Sequence, residues 1–420
     1  MQSDVSALSG RKHQADEVTV GSMPATASSA KLTHDSRTEF EVRDLRSIGE
    51  LQQVREFWIT HQNTLYNEFE YFECEVAHDE TVLRPQVFVV MAEGKVRALV
   101  LGRLVLAMVP WKLGYRNVFT KPKKYLVIGR DAVLGHLDGP AAVAFFAHLE
   151  KSMQQEGIPF AHFRQIDMQL PAYEHVVDLA PSTCKDPVIE QEVHRTLNVD
   201  MSFDEFYGLR TKREKSNIRW DRNKFEKAFK GRFEIDCLQA ERDVEKALEV
   251  AEGVTSKSYQ RELGIGFKDD AVTRKLWRLK AGRGAFKMYV IRVDEKPVAY
   301  FFCVKRNGIL HLEYTSFDPS YGQYQPGKYL LARIIERACE APEEKIIDYG
   351  FGEATYKRQF SSDVRWEANV YYFARTPRGQ YHRLIRFLVT GLHRKIKQRL
   401  EKWKLLDAIR TKWRSAARKK

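Results

Sequence analysis

The residues whose types and spacing could do chemistry together crowd into one stretch, from Tyr314 to Phe360. Its first part reads Phe317-Asp318-Pro319-Ser320-Tyr321-Gly322-Gln323-Tyr324-Gln325-Pro326-Gly327-Lys328. It follows a strand pattern over 309–315 and turns straight into a helical pattern over 326–339. A helix N-terminus presents unpaired N–H groups and the positive end of the peptide dipole, which suits a phosphate or a carboxylate. Gly327 would let such a group approach the backbone, and Lys328 adds a positive charge. The same junction also serves simply to turn a chain. The second part is Asp348-Tyr349-Gly350-Phe351-Gly352-Glu353-Ala354-Thr355-Tyr356-Lys357-Arg358-Gln359-Phe360. Two glycines at the end of a strand open space beside a sheet, and in open α/β sheets ligands gather at strand carboxyl ends. Tyr356 and Lys357 place a phenol and an ammonium at that opening, where a proton donor for a leaving group would sit. Glu313, on the incoming strand, is a candidate general base acting through water, or a plain solvent-facing strand residue. Asp348 ends a buried-looking strand, so its carboxylate must be paired or solvated. It either caps the glycine turn or positions Lys357. The chain's twelve histidines are dispersed, and His311 reads as a packed strand residue. No Ser-His-Asp arrangement, phosphate-binding loop or metal-ligand spacing is visible.

These residues need elements to hold them. After an aromatic-free, Ser/Thr/Ala-rich segment over 1–38, expected to be disordered, a short strand near Phe40 leads to Ser47 and Glu50, spaced as a capping box. A hairpin over 87–106 turns at Glu93-Gly94-Lys95, and a strand follows over 125–128. Asp138-Gly139-Pro140 opens a helix to about 155, and further strands fall over 160–165 and 188–197. The second half repeats this order. It has a strand over 233–238, helices over 241–259 and 270–280, a hairpin over 286–305, a strand over 309–315, a helix over 326–339, and strands over 346–349 and 366–374. The repeat lies in element order and not in residues. Between the halves, residues 202–232 carry ten Lys/Arg against five acids. They form either a solvated linker helix or a cationic surface for an anionic substrate.

The chain has 420 residues, 43% apolar and 30% charged, as expected of a soluble globular protein of two or three domains. No apolar run is long enough to span a bilayer, and no export signal opens the sequence. Five scattered cysteines argue against zinc or a disulfide framework and fit a reducing cytosol. Of the net charge of +13, almost all lies after residue 378, where 14 Lys/Arg face two acids. The remainder is close to neutral, which weakens the reading of a nucleic-acid binder with a basic face throughout. In that tail Ile385, Leu388, Leu392, Ile396, Leu400, Trp403, Leu406, Ile409 and Trp413 recur every three or four residues among Lys and Arg. The stripe could pack on the protein or a second subunit, lie on an anionic membrane, or meet nucleic acid.

The element order and the two motifs resemble the CelD/BcsL-type acetyltransferase-like family of the GNAT superfamily, whose members often carry two GNAT-like modules in tandem. The family's "YDP…PG" turn into a helix stands here as Phe317-Asp318-Pro319…Pro326-Gly327. Its "D-x-G-x-G…YK-x-x-F" stands as Asp348-Tyr349-Gly350-Phe351-Gly352…Tyr356-Lys357-Arg358-Gln359-Phe360, and its basic inter-module helix as Lys212-Arg213…Ile218-Arg219. The resemblance implies an α/β fold with mixed sheets in two tandem GNAT-like modules. A degenerate one spans 39–200 and a catalytic one 201–378, with a disordered start over 1–38 and a basic helical tail over 379–420. It implies transfer of an acyl group from acyl-CoA to an amine or hydroxyl without a metal, in the cytoplasm of a bacterium, in envelope or exopolysaccharide chemistry. Tyr356, Lys357, Glu313 and Asp348 are then the catalytic candidates. Gln323, Gln325, Gly327, Lys328 and Tyr329 would hold the donor, and Arg213, Arg219, Tyr314, Gly350 and Gly352 the acceptor. The family's usual donor loop is Q/R-x-x-G-x-G/A, whereas here it has one glycine and a proline that lacks an N–H. Related Fem-type peptidyl transferases use aminoacyl-tRNA as donor, which leaves that alternative open. So does a non-catalytic binding or scaffold protein on the same fold. A catalytic second module should keep a tunnel open between the strands ending near Thr315 and Tyr349, whereas a scaffold would fill it.

Overall fold

The computed structural model describes residues 39–402 apart from 114–115, 259–260 and 262–265. The segments over 1–38 and 403–420, expected to be disordered and to end the basic tail, lie outside the described residues. The first half contributes β1 (Phe40–Leu45), β2 (Val82–Ala92), β3 (Lys95–Ala107), a two-stranded ribbon of β4 (Lys112–Leu113) and β5 (Arg116–Asn117), then β6 (Lys123–Gly135), β7 (Phe160–Asp167) and β8 (Glu190–Asn198). The second half contributes β9 (Phe233–Leu238), β10 (Phe286–Val293), β11 (Lys296–Arg306), β12 (Ile309–Phe317), β13 (Ile346–Phe351) and β14 (Asp363–Phe373). Local signals start the helices as expected. Ser47 and Glu50 form their capping box. Asp138 accepts from the Ala141 N–H at 3.0 Å at the head of Gly139–Gln155, with proline in the first turn.

All twelve long strands share one sheet, in the order β1-β2-β3-β6-β7-β14-β8-β13-β12-β11-β10-β9. The two halves mirror each other. Each runs four antiparallel strands and then a fifth laid parallel to the fourth, β7 on β6 and β13 on β12. The parallel pairs need crossovers, which are the helices Gly139–Gln155 and Pro326–Glu340. The sixth strand of each half is exchanged. β8 follows β7 in the chain but pairs with β13, whereas β14, from the second half, pairs with β7. The exchanged strands then pair with each other and join the halves.

The helices bury apolar faces on this sheet. In the first half Phe145, Phe146, Leu149 and Met153 of Gly139–Gln155 join the core, with Phe145 against Phe88 of β2 and Phe146 against Phe163 of β7 and Tyr372 of β14. In the second, Leu330, Leu331, Ile334 and Ile335 of Pro326–Glu340 pack with Ile218 and Phe225 of the helix Lys212–Ala228. That basic helix is therefore part of the second core. Burial of residues like these is worth about 1.5–3 kcal/mol each, and the seven-residue spacing of Ile218 and Phe225 leaves Lys212, Arg213 and Arg219 on the solvent side.

Both parallel pairs come apart early. β6 and β7 are paired only over 126–128 and 161–163, and β12 and β13 only over 309–311 and 346–348. Each fourth strand is also bulged beside the fork. β6 carries extra residues over 129–132 against β3, with Asp131 at φ 53°. β12 carries Glu313 as the extra residue against β11. A bulge shifts the alternation of side chains. Leu312 consequently packs with the core under Pro326–Glu340, and Tyr314 with the opposite one around Trp277.

Candidate active site

At the fork between β12 and β13 the sheet buries a charged cluster drawn from both halves. Asp348, on β13, is its centre. The buried His194 of β8 donates from Nε2 to Asp348 Oδ1 at 2.6 Å, and the Gly350 N–H donates to the same oxygen at 2.7 Å. His311 Nδ1 lies 3.3 Å from Oδ2, and Arg130, from the β6 bulge, approaches Oδ2 at 3.8 Å. Burial alone would raise the Asp348 carboxyl, but the hydrogen bonds from His194 and His311 hold it well below the usual carboxylate range. A second buried carboxylate, Glu367 of β14, lies 3.4 Å from Arg130 and 3.1 Å from Arg365. His194 Nδ1 lies 2.9 Å from Glu367 Oε1, but out of line for a hydrogen bond. Burial works against the charged form of Glu367 too, yet His194, Arg130 and Arg365 keep its carboxyl low. Tyr66, from a turn in the first half, lies beneath the Arg130 guanidinium at 5.1 Å and donates its hydroxyl to Glu313 Oε1 at 2.9 Å. Burial and Glu313 push the Tyr66 phenol well up, so it stays a donor at neutral pH. The base of the fork thus holds the Tyr66 and Arg130 side chains.

The other expected residues are spread around this fork. Gly350 and Gly352 have φ of 70° and 88°, the left-handed turn that favours glycine, and a Cβ at Gly350 would meet open space. Lys357, in the short helix Thr355–Phe360, is buried and donates to the carbonyls of Gly350 and Phe351 at 3.2 and 3.0 Å. Burial lowers its pKa, against the pull of Asp348. Tyr356 is half-buried, with its ring 6.5 Å from that of Tyr349. Tyr314 faces Phe267 in the opposite core. Arg213 and Arg219 point to solvent.

The turn after β12 enters Pro326–Glu340 through Gln325, which is held at φ 54°, and no side chain caps the helix. Gln323 is exposed, and Gln325 donates its amide to the Gly322 carbonyl at 3.1 Å. Lys328 Nζ lies 3.9 Å from Asp221. Tyr329, expected to hold the donor, is instead a core residue. Its ring stacks on Phe225 at 4.5 Å and its hydroxyl donates to Glu226 at 3.0 Å, so one turn of helix carries the side chain away from the loop. His311, expected to pack as an ordinary strand residue, sits on the Asp348 carboxylate. Sequence reasoning missed Tyr66, Arg130, His194 and Glu367. No local pattern marks them: the strand exchange brings His194 and Glu367 to Asp348, the β6 bulge brings Arg130, and Tyr66 reaches Glu313 and Arg130 from a distant turn.

The fork of the first half holds a cavity of about 150 Å³, lined mainly by apolar residues including Ile128, Phe145 and Phe163, with Thr64 and His175 at its wall. Thr64 Oγ1 and His175 Nδ1 are buried there without a hydrogen-bond partner. No group of metal-ligating residues occurs among the described residues.

With this geometry in hand, the sequence profile of the acetyltransferase (GNAT) domain family was found to match residues 212–358. That segment is similar to a GNAT acetyltransferase domain. It contains Glu313, the uncapped helix, Asp348, both glycines, Tyr356 and Lys357. Among curated proteins, none matches the chain. Among solved structures, FemX is similar over 82% of this chain and 100% of its own, with a TM-score of 0.53 and 10% identity, a likeness of fold alone. L-PGS from Bacillus licheniformis aligns over 84% of this chain and 99% of its own (TM-score 0.47, 12% identity). A tandem GNAT protein from the clavulanic acid biosynthesis pathway aligns over 80% and 98% (TM-score 0.44, 11% identity). The described fold is two GNAT-like modules in tandem, closed by exchanged strands.

Proposed function

We propose that the protein transfers an acyl group from acyl-CoA to an amine or hydroxyl at the fork between β12 and β13. One observation carries the reading. Inside the GNAT segment, two parallel strands part after three residue pairs beside a helix N-terminus that no side chain caps. A slot between strands admits a slender thioester arm. Pro326 has no N–H and the Lys328 and Tyr329 N–H groups donate to the Gln325 carbonyl at 3.1 Å, so the Gly327 N–H, the helix dipole and the Lys328 ammonium are what the helix start offers its phosphates. The acceptor nitrogen or oxygen attacks the thioester carbonyl and the C–S bond breaks. The acceptor proton passes through water to Glu313, and Tyr356 gives a proton to the departing thiolate. Lys357 spends two N–H groups on the glycine turn and keeps one for a developing oxyanion. Asp348 positions the same turn through the Gly350 N–H. Gln323, Gln325, Gly327 and Lys328 line the donor's path, and the exposed Arg213 and Arg219 offer charge to an anionic acceptor. A CelD/BcsL-type role on glycan or envelope precursors, in a bacterial cytoplasm, is the setting that the resemblance favours.

Calorimetric titration with CoA and acetyl-CoA, followed by thiol release in the presence of amine and hydroxyl acceptors, tests this. Binding with acceptor-dependent thiol release is expected, and no binding of any acyl-CoA refutes the donor. A second reading, transfer from aminoacyl-tRNA, is favoured by Pro326, which removes one N–H from the turn that would hold a pyrophosphate. Loss of the amino acid from charged tRNA would support it. A binding protein without chemistry is favoured by the Tyr66 and Arg130 side chains at the base of the fork, and predicts no turnover with either donor.

A further inference from the structure

The last helix, Pro377–Lys402, is fixed to the body along one side and bare along the other. Thr376 caps its start, with its hydroxyl accepting from the Gly379 N–H at 3.1 Å. On the inner side, the His382 ring packs 5.5 Å from Phe160, and Ile385 joins the core cluster around Trp111. Arg386 is almost fully buried. It pairs with Asp186 at 3.2 Å, donates to the Val188 carbonyl at 3.0 Å and stacks 4.2 Å over Tyr371. Arg383 donates to the Lys185 carbonyl at 3.0 Å. These contacts set the rotation of the helix. They leave Tyr381, Leu384, Phe387, Leu388 and Leu392 facing solvent at 47–55% exposure. A helix that merely solvates its outer side carries polar residues there. Five large apolar residues on one arc form a patch that a soluble monomer rarely leaves bare.

The surroundings say what covers it. Phe119 packs 5.4 Å from the His382 ring, and Lys123 lies 5.1 Å over Phe119. Lys121 and Lys124 of the same segment are exposed, and Lys124 pairs in register with Leu106, itself an exposed leucine. Downstream, the sequence over 393–420 carries twelve Lys/Arg against two acids. An apolar arc beside Lys121, Lys123 and Lys124, in a chain whose sequence runs on strongly basic, complements a surface that is apolar inside and anionic outside. A second protein copy would bring the same cations against these.

We infer that this face docks on an anionic lipid bilayer, with Leu384, Phe387, Leu388 and Leu392 entering the acyl boundary and Lys121, Lys123 and Lys124 meeting the headgroups. Among the described residues no helix is long and apolar enough to cross a membrane, so the attachment is peripheral. It needs no donor and no turnover, and so stands or falls apart from the proposed reaction.

The full chain is sedimented with phosphatidylcholine vesicles made with and without phosphatidylglycerol. The expected result is binding to the anionic vesicles at about 50 mM salt, release as salt rises towards about 500 mM, and little binding to neutral vesicles. The double substitution Leu384→Glu/Leu388→Glu changes exposed positions only, so its melting temperature should match the wild type. Its partition should fall at least about tenfold. Light scattering of both proteins without lipid is the second measurement. The inference is overturned if the wild type ignores anionic vesicles at low salt, or if the double variant binds as the wild type does. It is also overturned if the wild type forms a dimer that the double variant loses while neither binds lipid, since the face would then be an interface between copies.

Discussion

Replacing Asp348 with alanine tests whether the buried cluster at the fork works as one charged unit. The substitution removes the acceptor of the His194 Nε2–H at 2.6 Å and of the Gly350 N–H at 2.7 Å, and the counter-charge 3.3 Å from His311. It also leaves Arg130 with Glu367 as its remaining buried partner. A hydrogen bond to a charged group is worth about 1.5–3 kcal/mol. Contacts within one network do not add, so the better guide is the cost of breaking a buried ion pair from one side, about 3–5 kcal/mol. Asp348→Asn keeps an acceptor for Gly350 and His194 and should lose less. The pH dependence has a definite sign. Because the folded-state carboxyl is held low, its contribution is complete above the unfolded value of about 3.9 and is lost as pH falls through the lower folded value. Urea unfolding at about pH 7 and about pH 3 should therefore show a large gap between wild type and Asp348→Ala that narrows in acid. A loss under about 1 kcal/mol at neutral pH, or a gap indifferent to pH, would refute the reasoning.

Three further outcomes follow from the site. A side chain at Gly327 would enter open space, with Phe317 Cδ1 at 4.0 Å its nearest neighbour. Gly327→Trp should thus melt like the wild type yet bind CoA at least about tenfold more weakly by calorimetry. Tyr356→Phe should lower turnover by about 10²-fold, and an unchanged rate would remove the phenol from the reaction. Lys357→Met loses both bonds to the glycine turn. It should cost about 1.5–3 kcal/mol in urea unfolding as well as activity.

What the sequence made legible was local. Ser47 with Glu50, Asp138 before Pro140, and the turn from Phe317 into Pro326 each encode their start within a few residues, and the structure forms them. The repeat of element order is also real, because hydrophobic alternation marks a strand wherever it pairs. Alternation does not say which strand is the neighbour. Hence the exchange of β8 and β14 left no trace, and with it went His194 and Glu367. The bulge at Glu313 shifts the parity of β12, so Leu312 and Tyr314 serve different cores although two residues apart. In the tail, Ile385, Leu388 and Leu392 read as one stripe, but the structure turns Ile385 inward and the two leucines outward. An arginine occupies the buried position, since Asp186 and the Tyr371 face together accept what composition assigns to solvent.

The exchanged strands also govern the order in which the protein can be completed during synthesis. The first half leaves the ribosome with the open edge of β7 still waiting for a strand some two hundred residues downstream, at 363–373. Until then that edge is a row of unpaired N–H and C=O groups, a template for the wrong partner. Meanwhile β8 has already emerged and waits for β13. Neither half is a finished folding unit, and cutting the chain between them, near residue 200, would yield two fragments, each lacking the strand that closes its sheet. A pair of fragments expressed together, by contrast, has complementary edges and should reassemble through them.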